Sequence, residues 1–162
     1  APEYSSHAFI EEEDLARTIH SMGTSLLGWT QRVRERGMFA SDARILGLTS
    51  EGNTVAWKGY AAIAAAKVAL ESVSRSIAVE MAHFGIRCNI IQAGVTDTPA
   101  LRMIPGSGHL KAQARTRNPF KRLTTPEDVA NVIYLLSRSE AAWINGTIIR
   151  VDGGEAVSGL SR

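Results

Sequence analysis

Residues 59–92 read GYAAIAAAKVALESVSRSIAVEMAHFGIRCNIIQ, a long apolar helix pattern that stops at Gly85 and gives way to a strand-like run, Ile86–Gln92. The helical part, residues 59–84, is built from Ala, Val, Leu and Ile and carries two polar residues of note, Tyr60 and Lys67. At 100° per residue, a seven-residue step returns to within about 20° of its starting direction, so both tips emerge on one face, two turns apart. A phenol as acid with an ammonium beside it forms a proton-donating pair suited to carbonyl chemistry. The plainer reading, a helix-start aromatic and a lysine whose stem lies along apolar surface, is open for the pair taken alone.

Working outward, the strand-length run Ala43–Thr49 precedes this helix, and a helical stripe of Leu15, Ile19, Met22, Leu26, Trp29 and Val33 precedes that. Glu11, Glu12, Glu13 and Asp14 place negative charge at the start of the stripe, where the helix dipole favours it. After the second strand comes a turn-rich exit, Ala93–Pro99. Residues 100–123 hold Pro105, Gly106, Gly108 and Pro119, which reads as a mobile loop with a short helix. Thr125, Pro126 and Asp128 have capping-box spacing for a helix running to about Arg138. Asn145-Gly146 then turns into a last strand, residues 147–151. Helices alternating with strands indicate a parallel sheet. Residues 59–84 are apolar around nearly the whole helix, which predicts burial on two sides, one against the sheet and the other against a second subunit.

The bulk properties exclude several classes. With 162 residues, 44% of them hydrophobic, the chain suffices for one globular domain with a core. Eighteen basic against sixteen acidic residues and 6% aromatics give no basic, stacking surface for nucleic acid. Cys88 is the single cysteine and falls in the second strand, where a packed thiol is expected; no disulfide within the chain is possible. The four histidines are scattered, so no metal site is expected. No run is long and apolar enough to span a membrane, and no signal pattern opens the chain, which reads as cytoplasmic.

Taken together these pieces resemble the short-chain dehydrogenase/reductases, and among them the enoyl-acyl-carrier-protein reductase branch. Most members of the wider family have tyrosine and lysine four apart, which would require a tyrosine at Ile63. The enoyl branch has six residues between them, as Tyr60 and Lys67 do. Ala66–Glu71, Ser76–Glu80, Gly85–Asn89, Ala93–Thr98 and Gly146–Gly154 are similar to family segments and occur in the family's order. The resemblance implies an α/β, Rossmann-type parallel sheet with flanking helices and hydride transfer from NADH or NADPH to an enoyl thioester of fatty acid biosynthesis. Tyr60 would hydrogen-bond the thioester oxygen, and Lys67 would bind the nicotinamide ribose. Ser50 would contact substrate, while Gly94, Thr96 and Thr98 would line the cofactor. Residues 99–123 would form the substrate flap, and acyl carrier protein would be a partner. A homodimer or homotetramer would form through the 59–84 helix.

The chain departs from the family pattern in places. Thr96 stands where isoleucine is common, and a family asparagine is replaced near Met22. The strand, glycine-rich turn and helix that open a dinucleotide fold have no counterpart here. Gly106-Ser-Gly108 follows no strand and reads as loop. The whole chain, 1–162, thus reads as one domain, the C-terminal part of a doubly wound fold whose N-terminal half is absent. Two alternatives stand beside the enoyl reading: a keto or hydroxy dehydrogenase of the same family, and a non-catalytic fragment kept for its oligomer interface.

Overall fold

The computed structural model describes residues 10–57, 59–104 and 106–159. Three parallel strands lie in the order β1 (Arg44–Thr49), β2 (Arg87–Ala93), β3 (Ile148–Val151). Helices α1 (Glu12–Ile19), α2 (Ser25–Glu35) and α3 (Ala61–Glu80) come before β2, and α4 (Pro99–Arg102), α5 (Ser107–Arg117) and α6 (Pro126–Ser137) after it. Central β2 is buried along almost its whole length because helices cover both faces, and its buried Asn89 is bonded to the Ile144 carbonyl and the Thr147 amide. On one face Ile77, Ala78 and Met81 of α3 pack with Ile86 and Cys88. On the other, Leu136 of α6 and Ala141 pack with Ile91. The Cys88 thiol is fully buried, 3.2 Å from Ser74 Oγ, and burial raises its pKa.

The first helical stripe differs from a single rod. A π-helical turn, His20–Thr24, joins α1 to α2. It falls where the chain must approach α3 closely: a Cβ at Gly23 would lie 2.5 Å from the Ala66 carbonyl oxygen and 3.2 Å from Ala69 Cβ. An apolar stripe shows which face is buried but not where the helix must bulge. Because the obstructing atom is backbone, Gly23→Ala should destabilise the chain by about 1–3 kcal/mol. Urea denaturation measures this, and an unchanged midpoint would contradict the close packing.

Helix α3 is shorter than residues 59–84. It stops at Glu80, a 3-10 turn (Ala82–Phe84) follows, and Gly85 closes the segment with φ 76°. Within this chain Ala62, Ala66, Leu70, Glu71, Ser74, Ile77 and Ala78 of α3 are buried, while Val68 and Val79 are exposed. Residues 100–123 also hold more helix than expected. Gly106, with φ 80°, opens the eleven-residue α5, whose mixed sequence SGHLKAQARTR has no apolar stripe to betray it.

Helix α6 starts as its sequence indicates. Thr125 Oγ1 accepts from Asp128 N, and Asp128 Oδ2 accepts from Thr125 N at 2.9 Å. Arg122 also donates to both Asp128 carboxylate oxygens. The guanidinium first, then the Thr125 amide, hold the Asp128 carboxyl well below its ordinary value of 3.8. A depressed carboxylate stabilises the fold fully above the unfolded pKa, and that stabilisation fades as pH falls through the folded one. Asp128→Asn should therefore lower Tm by a constant amount above about pH 5, with the difference shrinking in stronger acid. A gap that persisted in strong acid would argue against ionisation as its source.

Candidate active site

The strand pairing aligns Thr49 with Gln92 and Ala93 with Val151, so the carboxyl ends of all three strands lie along one edge. Ser50, Gly94–Thr98 and Asp152–Glu155 follow directly from those ends, the usual place for ligands on an open parallel sheet. Tyr60 and Lys67 reach the same edge from α3.

Tyr60 is the N-cap residue of α3 and is half-buried. Its ring meets Trp57 edge-on, with centroids 5.1 Å apart. Gly52 lies against the same ring, and a Cβ there would fall 2.4 Å from Tyr60 Cε1. Lys67 Nζ donates to the Leu48 carbonyl oxygen at 2.8 Å. Both side chains therefore close on one short segment, Leu48–Gly52, which is what their seven-residue spacing predicts. Burial pulls the Lys67 pKa below 10.5, while the nearby Glu71 carboxylate opposes that shift. Ser50 sits in the middle of this segment, and its Oγ is buried with no hydrogen-bond partner among the described residues.

The residues after β2 are engaged locally. Thr96 Oγ1 donates to the Gly94 carbonyl at 2.9 Å, and Thr96 bridges Thr124. Thr98 caps α4, its Oγ1 accepting from Leu101 N at 3.2 Å. Gly94 is explained by packing: a Cβ there would lie 2.5 Å from Thr124 Oγ1 and 3.0 Å from both Asp152 Cβ and Glu155 Oε2.

Two polar clusters at this edge escape a reading of the sequence. In one, buried Glu71 accepts from Thr49 Oγ1 at 2.7 Å and Asn53 Nδ2 at 2.6 Å. A carboxylate four residues after Lys67, following the apolar first half of α3, was the available signal. In the other, Arg117 of α5 donates to Glu51 Oε1 at 2.5 Å and Glu155 Oε1 at 2.8 Å. Glu155 Oε2 also receives the Val95 amide at 3.4 Å. Burial pushes the Glu155 pKa up, and Arg117 opposes the rise. No local pattern announces this triad. It ties α5 to the loops after β1, β2 and β3.

Beside it, a cleft of about 380 Å³ lies between Glu51, Trp57, His109, Leu110, Ala114 and Arg117. A larger groove of about 550 Å³ runs by Asn118, Arg122, Arg150 and Gly153, and neither cleft is lined by Tyr60 or Lys67. The smaller cleft is the one next to the tyrosine's packing partner. Among the described residues no cluster of His, Cys, Asp or Glu could hold a metal ion, and no helix is long and apolar enough to cross a membrane.

A family model described as Enoyl-(Acyl carrier protein) reductase matches residues 3–155. The chain belongs to that family. Its curated relatives include cis-4-hydroxycyclohexanecarboxylate dehydrogenase of Sinomonas cyclohexanicum, 34% identical over 73% of this chain and 44% of the relative. The NADH-type enoyl-acyl-carrier-protein reductase of Neisseria meningitidis is 31% identical over 89% of this chain and 55% of its own. Among solved structures, the enoyl-acyl-carrier-protein reductase (NADH) of Aquifex aeolicus superposes with TM-score 0.85 at 29% identity, covering 93% of this chain and 58% of that one. The chain thus spans about half the length of the curated relatives it matches. The family is one of short-chain oxidoreductases, with the Rossmann-type parallel sheet described above.

Proposed function

We propose that this chain carries the substrate-side half of an NAD(P)H-dependent enoyl-acyl-carrier-protein reductase. The observation that carries the reading is the convergence of Tyr60 and Lys67 on Leu48–Gly52, at the carboxyl edge of the sheet. The residues suit the nicotinamide end of a dinucleotide. An ammonium has three N–H donors, of which Leu48 takes one, and Ser50 offers a buried hydroxyl with no partner. Reduced nicotinamide, when bound, would supply the hydride.

In this reading the Tyr60 hydroxyl donates to the thioester oxygen as it gains enolate charge, an interaction strongest in the transition state. Lys67, held at β1 by Leu48, keeps positive charge beside the phenol and binds ribose hydroxyls. Ser50 contacts the substrate. Gly94, Thr96 and Thr98 shape the loop against the cofactor, and Thr98 still has its hydroxyl hydrogen to donate. Helices α4 and α5 cover the acyl chain, with the 380 Å³ cleft beside Trp57 as its opening. Acyl carrier protein is the proposed carrier of the substrate. The exposed Val68 and Val79 of α3 support pairing of this helix with a second copy, as a homodimer or homotetramer. A cytoplasmic location fits this chemistry.

A second reading, a keto or hydroxy dehydrogenase, is favoured by Ser50 at the strand end and by the 34% identity to a hydroxy-acid dehydrogenase. Crotonyl and acetoacetyl thioesters separate the two. Turnover of the crotonyl thioester with NADH or NADPH is expected, and faster turnover of the acetoacetyl thioester would replace the proposal. Titration of this chain with NADH, followed by nicotinamide fluorescence, tests whether it binds cofactor at all; no binding would leave the scaffold reading for the isolated chain.

A further inference from the structure

The helix that presents Tyr60 and Lys67 also carries a carboxylate the chemistry above leaves unused. Glu71 lies one helical turn beyond Lys67 and is only 8% exposed. Burying a carboxylate is costly unless its oxygens are bonded, and an apolar side chain here would extend the surrounding core at no such cost. Its Oε1 accepts from two residues that bracket Ser50: Thr49 at 2.7 Å, the last residue of β1, and Asn53 at 2.6 Å, the last of the 3-10 turn Glu51–Asn53. The neighbouring contacts belong to the same seam. Lys67 Nζ bonds the carbonyl of Leu48, just before Thr49, and the Tyr60 ring lies on Gly52, just before Asn53.

We propose that Glu71 is a positioning residue of this site, fastening the Leu48–Asn53 segment, with Ser50 at its centre, to the helix face that presents Tyr60 and Lys67. The inference rests on the reading of those three residues as the reductase site. A carboxylate, and not a neutral amide, suits the task for a second reason: its charge favours the ammonium form of Lys67 against burial.

Hydrogen exchange and lysine titration on this chain test the proposal without turnover. Glu71→Ala should speed amide exchange across residues 50–53 by about tenfold or more, the loss of a hydrogen bond to a charged group, with β2 and β3 at wild-type rates. Glu71→Gln keeps an acceptor of the same shape. It should leave that segment protected yet lower the midpoint at which Lys67 titrates, read by NMR of the ¹³C-dimethylated amine. Unchanged exchange at 50–53 in Glu71→Ala, or an equal rise across the whole sheet, overturns the proposal. So does a Lys67 midpoint in Glu71→Gln equal to the wild type's. Should Glu71→Ala fail to fold, Thr49→Val and Asn53→Ala remove the two donors singly and carry the same exchange test. A chain that passes these tests but whose enzyme reduces no thioester would sink the reductase reading alone.

Discussion

On the proposed reductase reading, replacing Tyr60 by phenylalanine is expected to cut turnover of an enoyl thioester by about 10²–10³-fold, the usual cost of removing one donor aimed at a developing oxyanion. The substitution removes a single oxygen. The ring contacts, edge-on to Trp57 and against Gly52, persist, so stability should stay within about 0.5 kcal/mol of the wild type. On the proposed mechanism the loss should fall on kcat with KM little changed, because the hydroxyl would bond the thioester oxygen most strongly once charge has developed there. Steady-state kinetics beside a thermal melt separate the chemical effect from a packing effect. Full activity in Tyr60→Phe would remove the tyrosine from the mechanism and leave Lys67 as a cofactor-binding residue alone.

The second large effect is on stability. Arg117→Met should destabilise the chain by about 3–5 kcal/mol, since it leaves two carboxylates, Glu51 and Glu155, without their shared cation. The Glu155 side chain is only 2% exposed, so water cannot replace the guanidinium. The sign of the pH dependence follows from burial, which already raises the Glu155 pKa above its ordinary 4.5. A group with a raised folded pKa favours the fold fully below the unfolded value, and that advantage is lost as pH rises through the folded one. Without Arg117 the folded pKa rises further. The deficit of Arg117→Met should therefore be greatest near neutral pH and shrink as pH falls toward 4.5. Adding Glu155→Gln to Arg117→Met should recover part of the loss. Urea unfolding across pH measures both, and a deficit independent of pH would show that packing, not charge, accounts for it. Because Arg117 joins α5 to the loops after β1 and β3, the variant should also disturb the cleft beside Trp57.

The sequence was most legible where one element carries its own evidence. A seven-residue step on an apolar helix brings Tyr60 and Lys67 to one side whatever surrounds them, because helical geometry is local. Thr125, Pro126 and Asp128 announce the start of α6 for the same reason: the donors and acceptors of a capping box lie within one turn. The alternation of helices with apolar runs likewise suffices for a parallel sheet, and the resemblance carried by five ordered segments agrees with the family match.

What the sequence could not decide are contacts between residues distant along the chain. Glu71 meets Thr49 across 22 positions, and Arg117 meets Glu51 across 66. No periodicity encodes such pairs, since each depends on how strands and crossovers bring separate loops to one edge. The π-helical turn at His20–Thr24 belongs with them, since its Gly23 lies against the backbone of α3. Helix α5 lies between the two cases: its residues permit a helix, but its polar, mixed pattern gives no face to read, and its place is held by Arg117 and the loops it grips. The sequence alone thus put Tyr60 and Lys67 on one side of α3 and indicated a parallel sheet. The tertiary structure decided what holds that pair against the sheet edge, because buried charges are placed by partners brought together only on folding.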